Sequence, residues 1–154
     1  CWQSAELEPY GHLFAAGYED GVMTAHLINR QLDNSGAPAT LSPLIISGLL
    51  RQKLGFAGVI FSDDLQMQAI SQGWTYTEAV QQAVLAGVDV LVVGNNLSPR
   101  EDAVTEGIRA IEELLDSGLV DAQRIRQSLA RINLFKQKIA GQQPWTLNAP
   151  PIAL

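Results

Sequence analysis

Apolar positions along the chain switch repeatedly between a helical period and short continuous runs, and that switching predicts the order of elements. Leu7, Tyr10, Leu13 and Phe14 fall on one helical face, with Gly17 as its stop. Gly21 to Ile28 reads as a buried strand, followed by a polar loop holding Asp33-Asn34-Ser35-Gly36 and Pro38. Ser42-Pro43 predicts the start of a helix that turns Ile45, Ile46, Leu49, Leu50 and Leu54 inward and ends at Gly55. Val59 to Phe61 is the next strand. Thr75 and Glu78 form a capping box ahead of Ala79, Val80, Ala83 and Val84, Gly87 closes that helix, and Val88 to Val93 is the third strand. A second box, Ser98 and Glu101 around Pro99, opens a helix with Val104, Ile108, Ile111 and Leu115 that stops near Gly118. Asp121 caps a last helix with Ile125, Leu129, Ile132 and Ile139, and residues 142–154 read as an extended tail after a domain over 1–141.

Strands alternating with helices predict the α/β class, a parallel sheet covered by helices. Three strands leave both outer edges unpaired, so partner strands are expected from an N-terminal part of the same polypeptide, another copy, or a companion chain. The 154 residues, 47% hydrophobic and 17% charged, fit a soluble globular domain. A net charge of -6 without any Lys/Arg-rich run argues against a nucleic-acid or anionic-membrane partner, and no apolar stretch is long enough to span a bilayer. Cys1 is the single cysteine and makes no metal-ligand spacing with His12 and His26, so neither metal nor cofactor is predicted. Because the chain opens Cys1-Trp2-Gln3 rather than with methionine, its natural beginning is expected upstream, and the compartment is left open between cytoplasm and periplasm or secretion.

The three strands all run into polar residues on one side of the sheet: His26 after the first, Ser62-Asp63-Asp64 after the second, Asn95-Asn96 after the third. In a parallel barrel this rim is where catalytic groups collect. Either acid could cap a helix or order the loop; a carboxylate at a strand end could also attack an electrophilic carbon or stabilise a cationic transition state. Neighbouring side chains on an extended backbone point in opposite directions, so one of the pair is expected to face a substrate while the other orders the loop. His26 is open between a hydrogen-bonded structural group and a proton shuttle, and His12 is expected to be exposed. Asn95 and Asn96 could form a turn or bind sugar hydroxyls; Trp74 could stack on a ligand, whereas Trp2 and Trp145 are expected to pack.

The run Leu49-Leu50-Arg51-Gln52-Lys53-Leu54-Gly55-Phe56-Ala57-Gly58-Val59-Ile60-Phe61-Ser62-Asp63-Asp64-Leu65-Gln66-Met67 closely resembles the nucleophile segment of glycoside hydrolase family 3, in particular its bacterial β-N-acetylhexosaminidase branch. Val22 to His26, Pro38 to Pro43 and Val88 to Asn96 are similar to that branch as well, so the likeness runs from about Leu7 to Ala140. It implies a (β/α)₈ TIM-type barrel, of which this chain supplies approximately the last three strands. It also implies that Asp63 is the catalytic nucleophile, with His26, Ser62, Asp64, Met67 and Asn95 as substrate-binding residues and a carbohydrate as substrate. Asp64-Leu65 and Met67 stand where the glucosidase branch usually has a tryptophan after the nucleophile, which tilts the substrate toward N-acetylglucosaminides from chitin or peptidoglycan; β-glucosidase, β-xylosidase and a non-catalytic self-associating fragment are the alternatives. The family's Asp-Ser-His acid/base loop and its Lys-His and Arg sugar-gripping residues have no counterpart here and are expected before Cys1.

Overall fold

The computed structural model describes residues 2–95 and 99–141. Cys1, the Asn96 and Ser98 assignments and the tail over 142–154 lie outside the described residues. Three strands, β1 (Gly21–Met23), β2 (Val59–Asp64) and β3 (Val90–Val92), form a parallel sheet in the order β1-β2-β3. Gly21 pairs with Val59 and Met23 with Phe61; across the other edge Phe61 pairs with Val90 and Asp64 with Val92.

A 3₁₀ turn, Ser4–Leu7, leads into helix α1 (Glu8–Ala15), and Phe14 is the side chain that seats this helix, its ring 4.7 Å from that of the buried Phe56. Of the other predicted inward residues, Tyr10 and Leu13 are exposed and Leu7 is half-buried. β1 is shorter than the apolar run suggested. After Met23 only the Thr24 amide still pairs with β2, donating to the Phe61 carbonyl, and the chain then leaves the sheet. Leu27, 71% exposed, therefore points to solvent rather than into a core.

The loop that follows folds around Asp33. This buried carboxylate accepts the Ser35 amide at 2.9 Å and the Ser42 hydroxyl, and hydrogen bonds from Ser35 and then Ser42 hold its pKa below the ordinary carboxylate value of 3.8. A depressed carboxylate pKa stabilises the fold above the unfolded value and stops doing so as pH falls through the folded one. Asp33→Asn is thus expected to cost roughly 1.5–3 kcal/mol at neutral pH, with the gap from wild type narrowing below about pH 3.8, as read from denaturant melts across that window.

The helix Leu44–Lys53 is wound in π fashion, and Leu54 donates to Leu49 five residues back. That wider turn breaks the 3.6-residue stripe, so of the five residues expected to face inward only Ile46 is fully buried and the others are half-buried. β2 follows at once. A β-carbon on Gly58 would stand 2.2 Å from the Glu19 carbonyl oxygen, so only glycine lets the amino end of β2 approach the turn before β1 this closely. The strand continues through both acids to Asp64, beyond the Phe61 boundary expected from the sequence.

A single helical turn not foreseen in the apolar pattern, α2 (Gln68–Ser71), precedes α3 (Tyr76–Ala86). The Thr75–Glu78 capping box opens α3 as predicted, and Gly87, at φ 116°, closes it in the left-handed region. β3 keeps only the middle of the expected run. The next helix, α4 (Ala103–Asp116), starts after Asp102, and Glu101 lies in the preceding turn. Its buried positions are Ala103, Gly107, Ala110 and Leu114, whereas Val104, 72% exposed, and Ile108 face solvent. Small residues decide that choice: a β-carbon on Gly107 would come within 3.2 Å of the Tyr76 hydroxyl, so α4 lies against α3 through its smallest side chains.

Helix α5 (Ala122–Gly141) begins with the Arg124 amide bonded to the Asp121 carboxylate and passes the amino ends of the strands. Phe135 meets Phe61 edge-on at 5.7 Å, while Leu129 and Ile139 remain exposed. Asp89, just before β3, has a side chain with no solvent exposure and ties this end together. It accepts Arg51 at 2.5 Å, Arg131 at 3.1 Å, the Ser128 hydroxyl at 2.5 Å and the Ile60 amide at 3.0 Å.

Candidate functional site

The opposite end of the sheet, where the strands finish, holds both acids. Four residues of β2, from Phe61 to Asp64, span the same register as three of β3, from Val90 to Val92, so β2 carries a bulge at Ser62 and Asp63. A bulge of this kind interrupts the backbone ladder and re-aims a side chain. Side chains replace the missing pairing: the Val92 amide donates to the Ser62 hydroxyl oxygen at 2.8 Å, and the Gly94 amide donates to Asp64 Oδ1 at 3.0 Å. Asp64 Oδ1 also accepts the Gln66 amide at 3.0 Å. Asp64 is therefore the loop-ordering member of the pair.

Asp63 lies between these two anchors and is half-buried. Its Oδ1 accepts the Asp64 amide at 2.9 Å, and among the described residues Oδ2 has no hydrogen-bond partner. One oxygen is held and the other is not. Ser62, with no exposure at all, faces the core and the Val92 amide.

His26 comes to the same place from the loop after β1, with Nε2 2.8 Å from the Asp64 carbonyl oxygen. That oxygen also accepts the Met67 amide at 3.1 Å, which brings Met67, half-buried, to the rim as the residue before α2. Asn95, in the left-handed region at φ 51°, donates its amide to Gln66 Oε1 at 2.7 Å. Its side chain meanwhile brackets Arg100, accepting that amide at 2.7 Å and donating to that carbonyl at 3.1 Å. The structure thus brings His26, Asp63, Asp64, Met67 and Asn95 together through one stretch of β2. Gln66 was not singled out in the sequence, although its place in the quoted run beside Asp64 was the available signal. Trp74 is partly buried against the core and lines a cavity of about 260 Å³ with Gln66, Tyr76 and Arg100; a larger one of about 490 Å³ is lined by Phe61, Leu91, Ile132 and Phe135. Asp63 lines neither.

The profile of the family described as glycosyl hydrolase family 3 N terminal domain matches residues 2–134. The chain belongs to glycoside hydrolase family 3. Within that family it is 33% identical over 147 residues to a beta-hexosaminidase of Tolumonas auensis, a match covering 88% of this chain and 43% of that protein. It is 32% identical to a beta-hexosaminidase of Histophilus somni, again over 43% of the relative's length. Among solved structures, a family 3 beta-N-acetylglucosaminidase from Paenibacillus superposes with a TM-score of 0.79 at 35% identity, covering 96% of this chain and 27% of that one. The beta-N-acetylglucosaminidase from Thermotoga maritima gives 0.70 at 28% identity, over 84% of this chain and 28% of its own. This family 3 chain therefore spans less than half the length of these relatives, and its three strands with their helices are part of a TIM-type barrel.

Proposed function

We propose that this chain carries the nucleophile of a retaining β-N-acetylhexosaminidase that removes terminal β-N-acetylglucosaminides, with Asp63 in that role. The observation that supports it most directly is a carboxylate at the carboxyl end of a parallel strand with one oxygen fixed and the other unpartnered, in a family 3 chain similar to beta-hexosaminidases. In the first step Asp63 Oδ2 bonds to the anomeric carbon while the bond from that carbon to the departing oxygen breaks, and the departing oxygen takes up a proton. Water then attacks the anomeric carbon from the face opposite the carboxylate, giving up a proton as the bond to Asp63 Oδ2 breaks. Two inversions leave the anomeric configuration retained. No residue of this chain is assigned to proton donation, and completion of the barrel by further strands belongs to the same proposal.

Aryl glycosides with and without a 2-acetamido group test the substrate class. The N-acetylglucosaminide is expected to be turned over with a kcat/KM on the order of 100-fold or more above the glucoside and xyloside, because a site built to hydrogen-bond an amide leaves buried groups unpaired when the amide is missing. Equal or reversed preference would move the assignment to a β-glucosidase or β-xylosidase. Absence of turnover on all three would favour the non-catalytic alternative.

A further inference from the structure

We propose that His26 is a positioning residue for Asp63, acting through Asp64; the proposal rests on the reading of Asp63 as nucleophile. A carbonyl oxygen can only accept, so the 2.8 Å contact between His26 Nε2 and the Asp64 carbonyl requires the proton on Nε2. In the neutral ring Nδ1 is then an acceptor, and it is buried without a partner among the described residues. Neither nitrogen is therefore available to a departing oxygen: one is committed to a carbonyl and the other is closed off. The ring's work is at Asp64.

What that bond holds follows from the order of contacts. Asp64 gives its own amide to Asp63 Oδ1 at 2.9 Å, and its carboxylate takes the Gly94 and Gln66 amides, so the position of Asp64 sets the direction in which the Asp63 carboxylate points. β1 leaves the sheet after Met23, and beyond the Thr24 contacts with Phe61 it is the His26 imidazole that ties this part of the loop to the carboxyl end of β2. Ser62 and Asp64 fix the bulge from the β3 side; His26 fixes it from the β1 side. A bulged residue braced on one side only has room to shift, and displacement of a reacting group by about 1 Å costs on the order of 100-fold in rate.

The test compares His26→Ala with His26→Gln in the active protein. A glutamine can place an amide N–H where Nε2–H stands and leaves no buried Nδ1 acceptor. His26→Ala is expected to lower kcat about 10- to 100-fold with KM within about twofold of wild type, and His26→Gln to recover most of kcat. Both limbs of the pH–rate profile should persist in each variant. Hydrogen exchange at the Asp64 amide should accelerate at least about tenfold in His26→Ala and stay near wild type in His26→Gln, a readout that needs no turnover. Loss of a limb of the pH profile, or glutamine as slow as alanine with both variants folded and melting like wild type, overturns the proposal in favour of direct proton transfer or substrate contact by the imidazole. Unchanged exchange at Asp64 in His26→Ala overturns it as well. Asp63→Asn run alongside separates the two ideas: full activity there removes the nucleophile assignment, whereas an inactive Asp63→Asn with a fully active His26→Ala removes only the positioning role.

Discussion

Asp63→Asn is expected to lower kcat by about 10⁴- to 10⁶-fold in the active protein while leaving the folded structure in place, the scale seen when a nucleophile that acts as part of a unit is removed. The amide keeps an oxygen that can still accept the Asp64 amide at the position of Oδ1, so the bulge has no reason to rearrange. What disappears is the negative charge and the nucleophilic lone pair on the second oxygen. Asp64→Asn is a harder case, because the Asp64 carboxylate receives two backbone amides, from Gln66 and Gly94, and weakening them loosens both the loop and β3. The two substitutions should therefore differ in kind: Asp63→Asn inactive with an unchanged melting temperature, Asp64→Asn less active and less stable. A 2-fluoro glycoside provides the complementary measurement, with an adduct expected on the peptide containing Asp63. Turnover with no adduct at Asp63, or an adduct at Asp64, would contradict the assignment.

How much of this could be read from the residues differs between fold and site. The strand–helix alternation, the Thr75–Glu78 box and the left-handed glycines at 17, 55, 87 and 118 follow from local chemistry, and the structure has them where that chemistry requires. Strand lengths do not follow in the same way. Leu27 and Ile28 are as apolar as Ile60, but β1 leaves the sheet after Met23 although β2 runs on to Asp64, so apolar character alone does not keep a segment in the ladder. Helix faces failed where packing depends on small residues: nothing in the apolar period of α4 says that Gly107 and Ala110, rather than Val104 and Ile108, lie against α3. At the rim the pair of acids was legible, and so was the expectation that one of them orders the loop, a part that Asp64 takes by accepting the Gln66 and Gly94 amides. The bulge was not. It arises from a one-residue mismatch between β2 and β3, a relation between two strands with no local signature in either, and there the Ser62 hydroxyl accepts the Val92 amide.

The second large effect is expected at the other end of the sheet. Asp89→Ala should destabilise the fold by about 3–5 kcal/mol, the usual cost of removing one partner from a buried ion pair. An acid between Val88 and Val90 must be paired if it is buried, and this one has arginines from two directions: Arg51 from the helix before β2, and Arg124 and Arg131 from α5, with Arg124 the most distant at 3.8 Å. Burial pushes the Arg51 guanidinium down to about 10 even with Asp89 beside it, a sign of how much desolvation this cation bears. Without the carboxylate, three positive side chains would face one another, and the Ile60 amide would lose its acceptor. The backbone carbonyls of Phe56 and Gly58 still receive Arg51, and that of Val88 still receives Arg124, which keeps the loss from being larger. Asp89→Asn retains an oxygen for the Ile60 amide but not the charge, so it should fall between wild type and alanine. Arg124→Ala should cost the least, since it removes the most distant of the three cations and relieves repulsion among those that remain. Urea melts order the variants: a midpoint loss for Asp89→Ala no greater than for Arg124→Ala would mean that the carboxylate is not the anchor joining α5 to the strands.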